Sequence, residues 1–169
     1  MTISFKRLTE TDLPLLTGWL NRPHVAERWD TRAARSLEDV RQKYLPRMAN
    51  GSTTIPYLAY RDGVPIGYIQ SYVAMHCGDG WWPDERDPGV RGIDQFLADA
   101  NNLGHGVGTE MVRAFVRDLF RDRCVTRVQA DPAPDNLRAI RCYEKAGFRK
   151  VETITTPDGA ALLMVVDRD

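Results

Sequence analysis

Cysteine and histidine are both scarce in this chain, three of each among 169 residues. Cys77, Cys124 and Cys142 are odd in number and follow no metal-ligand spacing, and His24, His76 and His105 are scattered. A disulfide framework and a metal centre both drop out, leaving the thiols to read as reduced and buried. No apolar run approaches the ~20 residues that cross a bilayer. The first ten residues show neither the apolar core nor the cleavage site of a secretory signal. An excess of either charge is missing too: 23 Lys and Arg stand against 23 Asp and Glu. Nucleic acid and anionic membrane are therefore not expected partners. Repeats, low-complexity tracts and linkers are absent from the sequence. The expectation is one cytoplasmic domain over residues 1–169, with a usable core, no bound metal, and a monomeric or weakly dimeric state.

What the chain does have is a succession of patterned segments. Residues 3–8 read as a strand. Thr9, Thr11 and Asp12 supply capping side chains, and Leu13, Leu16, Trp19 and Leu20 form a helical face behind Pro14. Residues 24–29 are short and partly aromatic, and the pattern leaves their form open. Residues 36–48 predict a helix with Ser36 as N-cap, Asp39 at the capping-box position, and Leu37, Val40, Tyr44 and Leu45 inward. Runs at 54–60 and 64–75 flank Asp62-Gly63, a two-residue hairpin signal. A loop rich in Gly, Pro, Asp and Trp fills 77–89, and 90–98 reads as the next strand. Residues 126–131 read as a strand that Pro132 and Pro134 end. Asp135 or Asn136 caps a helix through Ala146, with Gly147 beyond it at C′. Strands at 148–154 and 160–166 close the chain around Pro157-Asp158-Gly159. This order predicts a mixed sheet with helices on its faces, an α/β or α+β layer fold.

The stretch Leu103-Gly104-His105-Gly106-Val107-Gly108-Thr109 organises the rest. Val107, Met111, Phe115 and Leu119 recur every four residues behind it, widened by Val112 and Val116, which is a helical stripe. Glycines at a helix start let backbone N–H groups converge where the helix dipole is positive, a setting for phosphate or pyrophosphate. Close packing at a strand end is the plainer reading of the same glycines. A Walker loop would end in Gly-Lys-Ser or Gly-Lys-Thr, whereas this one ends Gly108-Thr109-Glu110. A dinucleotide-binding loop belongs in the first strand–helix unit, and this one comes past mid-chain.

The same residues resemble the pyrophosphate loop of the GNAT superfamily of acetyl-CoA-dependent N-acetyltransferases, Gln/Arg-x-x-Gly-x-Gly/Ala, with Leu103 where Gln or Arg is usual. Asn136, Ala139 and Tyr143-Glu144-Lys145-Ala146-Gly147-Phe148 resemble that family's second cofactor motif. Trp19-Leu20-Asn21-Arg22, Pro65-Ile66-Gly67-Tyr68, Gly78-Asp79-Gly80-Trp81-Trp82 and Gly92-Ile93-Asp94-Gln95 extend the likeness to the aminoglycoside 6′-N-acetyltransferases over nearly the whole chain. The resemblance implies a mostly antiparallel central sheet flanked by helices on both faces. It also implies acetyl transfer from acetyl-CoA to the 6′-amine of an aminoglycoside, by direct attack in a ternary complex, giving antibiotic resistance.

On that resemblance, amides of Leu103, Gly104, His105, Gly106, Val107, Gly108 and Thr109 hold the pyrophosphate. The strand at 92–96, Gln95 included, pairs with the pantetheine arm. Gly92 allows a bulge that aims an N–H at the thioester carbonyl. Asn136 contacts the cofactor arm, or is a plain N-cap, or both. Tyr143 is the general acid for the leaving thiolate, although three-residue spacing from Ile140 equally makes it core. Asp94 is the base that accepts the amine proton, directly or through water. Asp131 shares that role, or holds a second ammonium, or only caps a turn. Asp79, Asp94, Asp131 and Asp158 would gather a polycation that the neutral chain as a whole does not attract. Trp81 and Trp82 offer flat faces to sugar rings or anchor their loop. Gln70 and Trp29 complete the acceptor side. Two other readings remain open at this point: an acyltransferase for another amine, such as a lysine or hydroxylysine siderophore precursor, and a non-catalytic acyl-CoA- or drug-binding module.

Overall fold

A computed structural model describes residues 1–29 and 35–169. In chain order the elements are β1 (Ile3–Arg7), a 3-10 turn (Glu10–Asp12), α1 (Leu13–Leu20), α2 (Pro23–Trp29), α3 (Leu37–Met48), β2 (Thr54–Arg61) and β3 (Val64–Val73). There follow β4 (Val90–Leu97), a 3-10 turn (Ala100–Asn102), α4 (Val107–Leu119), β5 (Arg127–Ala130), α5 (Leu137–Lys145), β6 (Arg149–Thr156) and β7 (Gly159–Asp167). The strands form one sheet in the order β1-β2-β3-β4-β5-β7-β6. The β4–β5 pair is parallel, while β1–β2, β5–β7 and β6–β7 are antiparallel. By compactness the chain divides into two units: Met1–Gln70 with Gln95–Leu103, and Ser71–Asp94 with Gly104–Asp169.

In the first unit, two capping boxes set the helix starts. The Thr9 hydroxyl and N–H both donate to Asp12. The Ser36 N–H donates to Asp39 Oδ2 at 2.8 Å, and the Asp39 N–H returns to Ser36 Oγ. Aspartate thus does the work usually given to glutamate at that position. The short 24–29 segment is helical: the N–H groups of Val25 and Ala26 both reach the Arg22 carbonyl, and Val25 is buried. Leu37, expected inward, is instead 42% exposed. It opens α3, one position beyond the cap, where the apolar stripe has not yet turned to the core. Leu13, Leu16, Leu20, Val40, Tyr44, Leu58 and Tyr68 build that core. Tyr68 and Phe96 stack with centroids 5.5 Å apart, and Trp29 meets both rings edge-on. Such aromatic pairs add about 0.5–1.5 kcal/mol beyond the area they bury.

In the second unit, α4 buries Val107, Met111, Val112, Phe115 and Val116 as the stripe requires. Its partner α5 begins at Asn136, whose Oδ1 accepts the Ala139 N–H, and ends before Gly147 at φ 104°. That left-handed C′ position suits glycine. Strand β6 is the sheet edge, with Arg149, Lys150, Val151 and Glu152 all exposed. Charges and the irregularity between Lys150 and Glu152 keep such an edge from pairing further. The expectation that all three thiols are buried fails for Cys124, which is exposed in the turn after α4, while Cys77 and Cys142 are partly buried. All three are free.

Candidate active site

The glycine loop has the geometry of an amide cradle. Gly104 and Gly106 take φ values of 79° and 82°, and a Cβ at either would meet no heavy atom within 4 Å. The first intrahelical bond of α4 runs from the Glu110 N–H to the Gly106 carbonyl. The N–H groups of Val107, Gly108 and Thr109 therefore precede the helix ladder and point out of its start. His105 is exposed beside them. Two members of the expected set differ. The Leu103 N–H is already donated to Ala100, closing the preceding 3-10 turn. The Thr109 side chain turns inward, its hydroxyl donating to Cys142 Sγ at 3.7 Å. Thr109 offers the cradle only its backbone.

Strand β4 runs past its parallel partner. Pairing with β5 covers Val90↔Arg127, Arg91↔Val128 and Gly92↔Gln129, yet β4 continues to Leu97. Asp94 and Asp131 both stand two residues beyond the Gly92↔Gln129 pair. Alternation along the strands puts Gly92, Asp94, Gln129 and Asp131 on one face. Gly92 has no side chain because Tyr72 lies there: a Cβ on Gly92 would sit 2.0 Å from Tyr72 Cζ. Clearance for that ring is what the glycine provides.

The charges of Asp94 and Asp158 both act on Asp131. Burial first, then the charges of Asp94 and Asp158, push Asp131 from the ordinary 3.8 up to about 8. Asp158 arrives on the exposed β6–β7 turn, where its N–H donates to Thr156 Oγ1. That turn touches the tryptophan loop, with Pro157 Cγ 3.6 Å from where a Gly80 Cβ would be. Asp79, on the same loop, is exposed, and its charge acts on Cys77. Trp81 and Trp82 are half-buried with ring centroids 6.4 Å apart. The Trp82 indole N–H donates to the Tyr72 hydroxyl at 3.0 Å. Tyr143 is buried on α5 with its ring 5.2 Å from Phe148.

Of the site residues in the first unit, Gln95 is half-buried on β4. Gln70 is buried, and its carbonyl oxygen accepts from both Arg47 and Tyr68 at 2.7 Å. Trp29 is partly buried, packs against the aromatic cluster and donates to the Tyr44 hydroxyl. Sequence reasoning missed Tyr72 and Gln129. Gln129 is 3% exposed, and its Nε2 has no hydrogen-bond partner among the described residues. Nothing in a single sequence distinguishes either from an ordinary strand residue.

Residues 9–156 match the acetyltransferase (GNAT) domain family. The chain belongs to the GNAT acetyltransferases. Among the relatives of this acetyltransferase is the aminoglycoside N(6′)-acetyltransferase type 1 of Klebsiella pneumoniae. It is 55% identical over 168 residues, which cover 99% of this chain and 84% of the relative. A structure of AAC(6′)-Ib with parmomycin and acetyl-CoA superposes at a TM-score of 0.95, with 54% identity over 99% of this chain and 94% of that one. Another, with coenzyme A and kanamycin, gives 0.93 at the same identity, covering 99% of this chain and 95% of that one.

The Asp131 environment of the acetyltransferase has a measurable consequence. The folded state holds a proton there that the unfolded chain has lost, because the folded pKa is raised far above 3.8. Stability from this group is full below 3.8 and is lost as the pH rises toward about 8. Over that window Asp131→Asn should lose less melting temperature than the unmodified chain. Thermal denaturation at a series of pH values measures this, and parallel curves would remove Asp131 from the raised state.

Proposed function

We propose that this GNAT enzyme transfers the acetyl group of acetyl-CoA to the 6′-amine of aminoglycoside antibiotics, giving resistance to them. The observation that carries the reading is the convergence of Asp94, Asp131 and Asp158 in a chain whose formal net charge is zero. Asp94 and Asp158, whose charges raise the proton affinity of Asp131, form with it a site for a polycation, whose ammonium groups replace the proton that Asp131 otherwise holds. The relatives that act on aminoglycosides agree with that ligand class. Trp81 and Trp82 stand beside this cluster as the sugar-facing wall.

The chain supplies the parts of a direct transfer. The open glycines and the outward N–H groups at the α4 start fit a pyrophosphate. The run of β4 beyond its β5 partner fits an extended pantetheine arm, which adds to the strand as a peptide would. Asn136 is engaged as the α5 N-cap and keeps a second lone pair on Oδ1 for the cofactor arm. Asp94 takes the proton that the substrate ammonium must lose before its nitrogen can attack. As the nitrogen–carbon bond forms and the carbon–sulfur bond breaks, Tyr143 protonates the departing thiolate, and the further proton that the acylated nitrogen sheds returns to Tyr143 through solvent. Both roles follow from position in the motifs. A covalent acyl-enzyme is not needed, and the thiols are poorly suited to one. Burial pushes the Cys77 and Cys142 thiols up, away from the reactive thiolate. We read the enzyme as one cytoplasmic GNAT domain, a monomer or weak dimer, needing no metal.

Release of CoA thiol from acetyl-CoA tests the assignment, with kanamycin compared to an analogue bearing a 6′-hydroxyl. Turnover is expected with the amine alone. Equal turnover with both would move acetylation to another nitrogen, and silence with both would leave the enzyme to a different amine.

A further inference from the structure

Tyr72 has no part in the transfer described above, yet it meets both the tryptophan loop and Gly92 of β4. Its hydroxyl accepts the Trp82 indole N–H at 3.0 Å. Its ring fills the space over Gly92, with Cζ, Oη and Cε2 lying 2.0, 2.3 and 2.4 Å from where a Cβ would be. Trp82 itself takes φ 49°, one of three non-glycine residues of this loop in the left-handed region, with His76 at 59° and Asp79 at 53°. A bulky residue adopts that conformation only where its surroundings hold it. The loop's own bonds, from Trp81 N–H to Gly78 and from Glu85 N–H to Trp82, are short-range. Among the described residues, the indole bond to Tyr72 is the hydrogen bond that ties the Trp82 side chain to a strand.

We propose that Tyr72 is a positioning residue for the acceptor wall: its phenol oxygen fixes the Trp82 indole, and its ring, seated on Gly92, locks that wall to the strand that carries Asp94. The proposal deepens the aminoglycoside reading and rests on Trp82 being part of the acceptor surface. The phenol is suited to this role and not to proton transfer. Burial, then the charges of Asp94 and Asp131, hold its proton well above the ordinary phenol value of 10.0. It stays a neutral hydroxyl and accepts from the indole with one lone pair. The wall and the base are therefore set by one rigid side chain, whichever sugar arrives.

The variant Tyr72→Phe keeps the ring over Gly92 and removes only the oxygen. The first readout needs no substrate: the indole N–H resonance of Trp82 in a nitrogen–proton correlation spectrum, assigned by its loss in Trp82→Phe. It should move to the free-indole position and exchange faster in Tyr72→Phe; an unmoved resonance overturns the proposal. The second readout is kinetic. The KM for kanamycin should rise about five- to ten-fold, the size of one neutral hydrogen bond, while kcat and the KM for acetyl-CoA hold within about two-fold. A parallel fall in kcat, or an unchanged KM, overturns it. Trp82→Phe, which leaves Tyr72 intact, should raise the same KM, and the double variant should be no worse than the weaker single one; additive effects would separate the two residues. If the unmodified enzyme ignores kanamycin, the proposed function fails while the indole measurement still decides the role of Tyr72.

Discussion

Replacing Asp94 by asparagine should lower kcat by about 10²- to 10⁴-fold, the usual contribution of a positioned base. The KM for acetyl-CoA should stay near its original value. The substitution keeps size and shape but leaves an amide that cannot take a proton. The large effect is expected because an aminoglycoside amine arrives protonated, and attack cannot begin until that proton has a destination. Asp94 occupies the place where β4 has just left β5, two residues beyond the last pair and across from Asp131. Asp131 is a poor substitute while it keeps its own proton up to about pH 8. The pH profile then distinguishes the two. If Asp131 takes over in Asp94→Asn, residual activity climbs with pH through a midpoint below about 8, because the Asp94 charge that helps to raise Asp131 is gone; a flat profile leaves Asp94 as the base. Near-normal turnover at neutral pH would sink the assignment. Tyr143→Phe is the control within the same experiment, because it should slow thiolate departure without altering the demand for a base.

Gly92→Ala should cost both stability and activity. The added methyl lies 2.0 Å from Tyr72 Cζ and 2.3 Å from its hydroxyl, separations that atoms do not share. Either the ring leaves its seat or β4 shifts. Overpacking of this kind costs about 1–3 kcal/mol. For a chain of this size that is a fall in melting temperature of several degrees, at ~2–4 °C per kcal/mol. Activity should fall further than stability alone explains, since the displaced ring carries the Trp82 contact and the displaced strand carries Asp94. The check is a pair of melting curves. Gly92→Ala combined with Tyr72→Ala should be no less stable than Tyr72→Ala alone, because the clash needs the ring. If the two losses simply add, the close approach at Gly92 is not what keeps that position a glycine.

Much of this molecule was legible before its structure. The Ser36–Asp39 capping box, the Asp62-Gly63 hairpin and the α4 stripe are written in neighbouring residues, and each appears where local spacing puts it. The glycine loop was legible for the same reason, its chemistry lying in consecutive amides. Three things were not. The helix at Pro23–Trp29 is too short to show a period. The packing of Trp29 against Tyr44, Tyr68 and Phe96 was hidden because those rings come from separate elements. Tyr72 was invisible because its importance lies in what stands opposite: a glycine twenty residues on and an indole on an intervening loop. Pair relations of that sort depend on register, and register is set by the whole sheet.

Gln129 carries a consequence for how this enzyme can change. A buried amide donor with no partner is held at a cost of about 1–3 kcal/mol, and Gln129 has such a donor on the same face as Asp131. Asp131 is likewise held against burial and neighbouring charge. Two adjacent positions therefore already subtract from folding stability. Replacements there have little native stabilisation to lose, unlike those at Val128 or Met164 in the apolar interior. Drift in drug preference therefore has thermodynamic latitude at Gln129 and Asp131, where new side chains cost less than they would in the core.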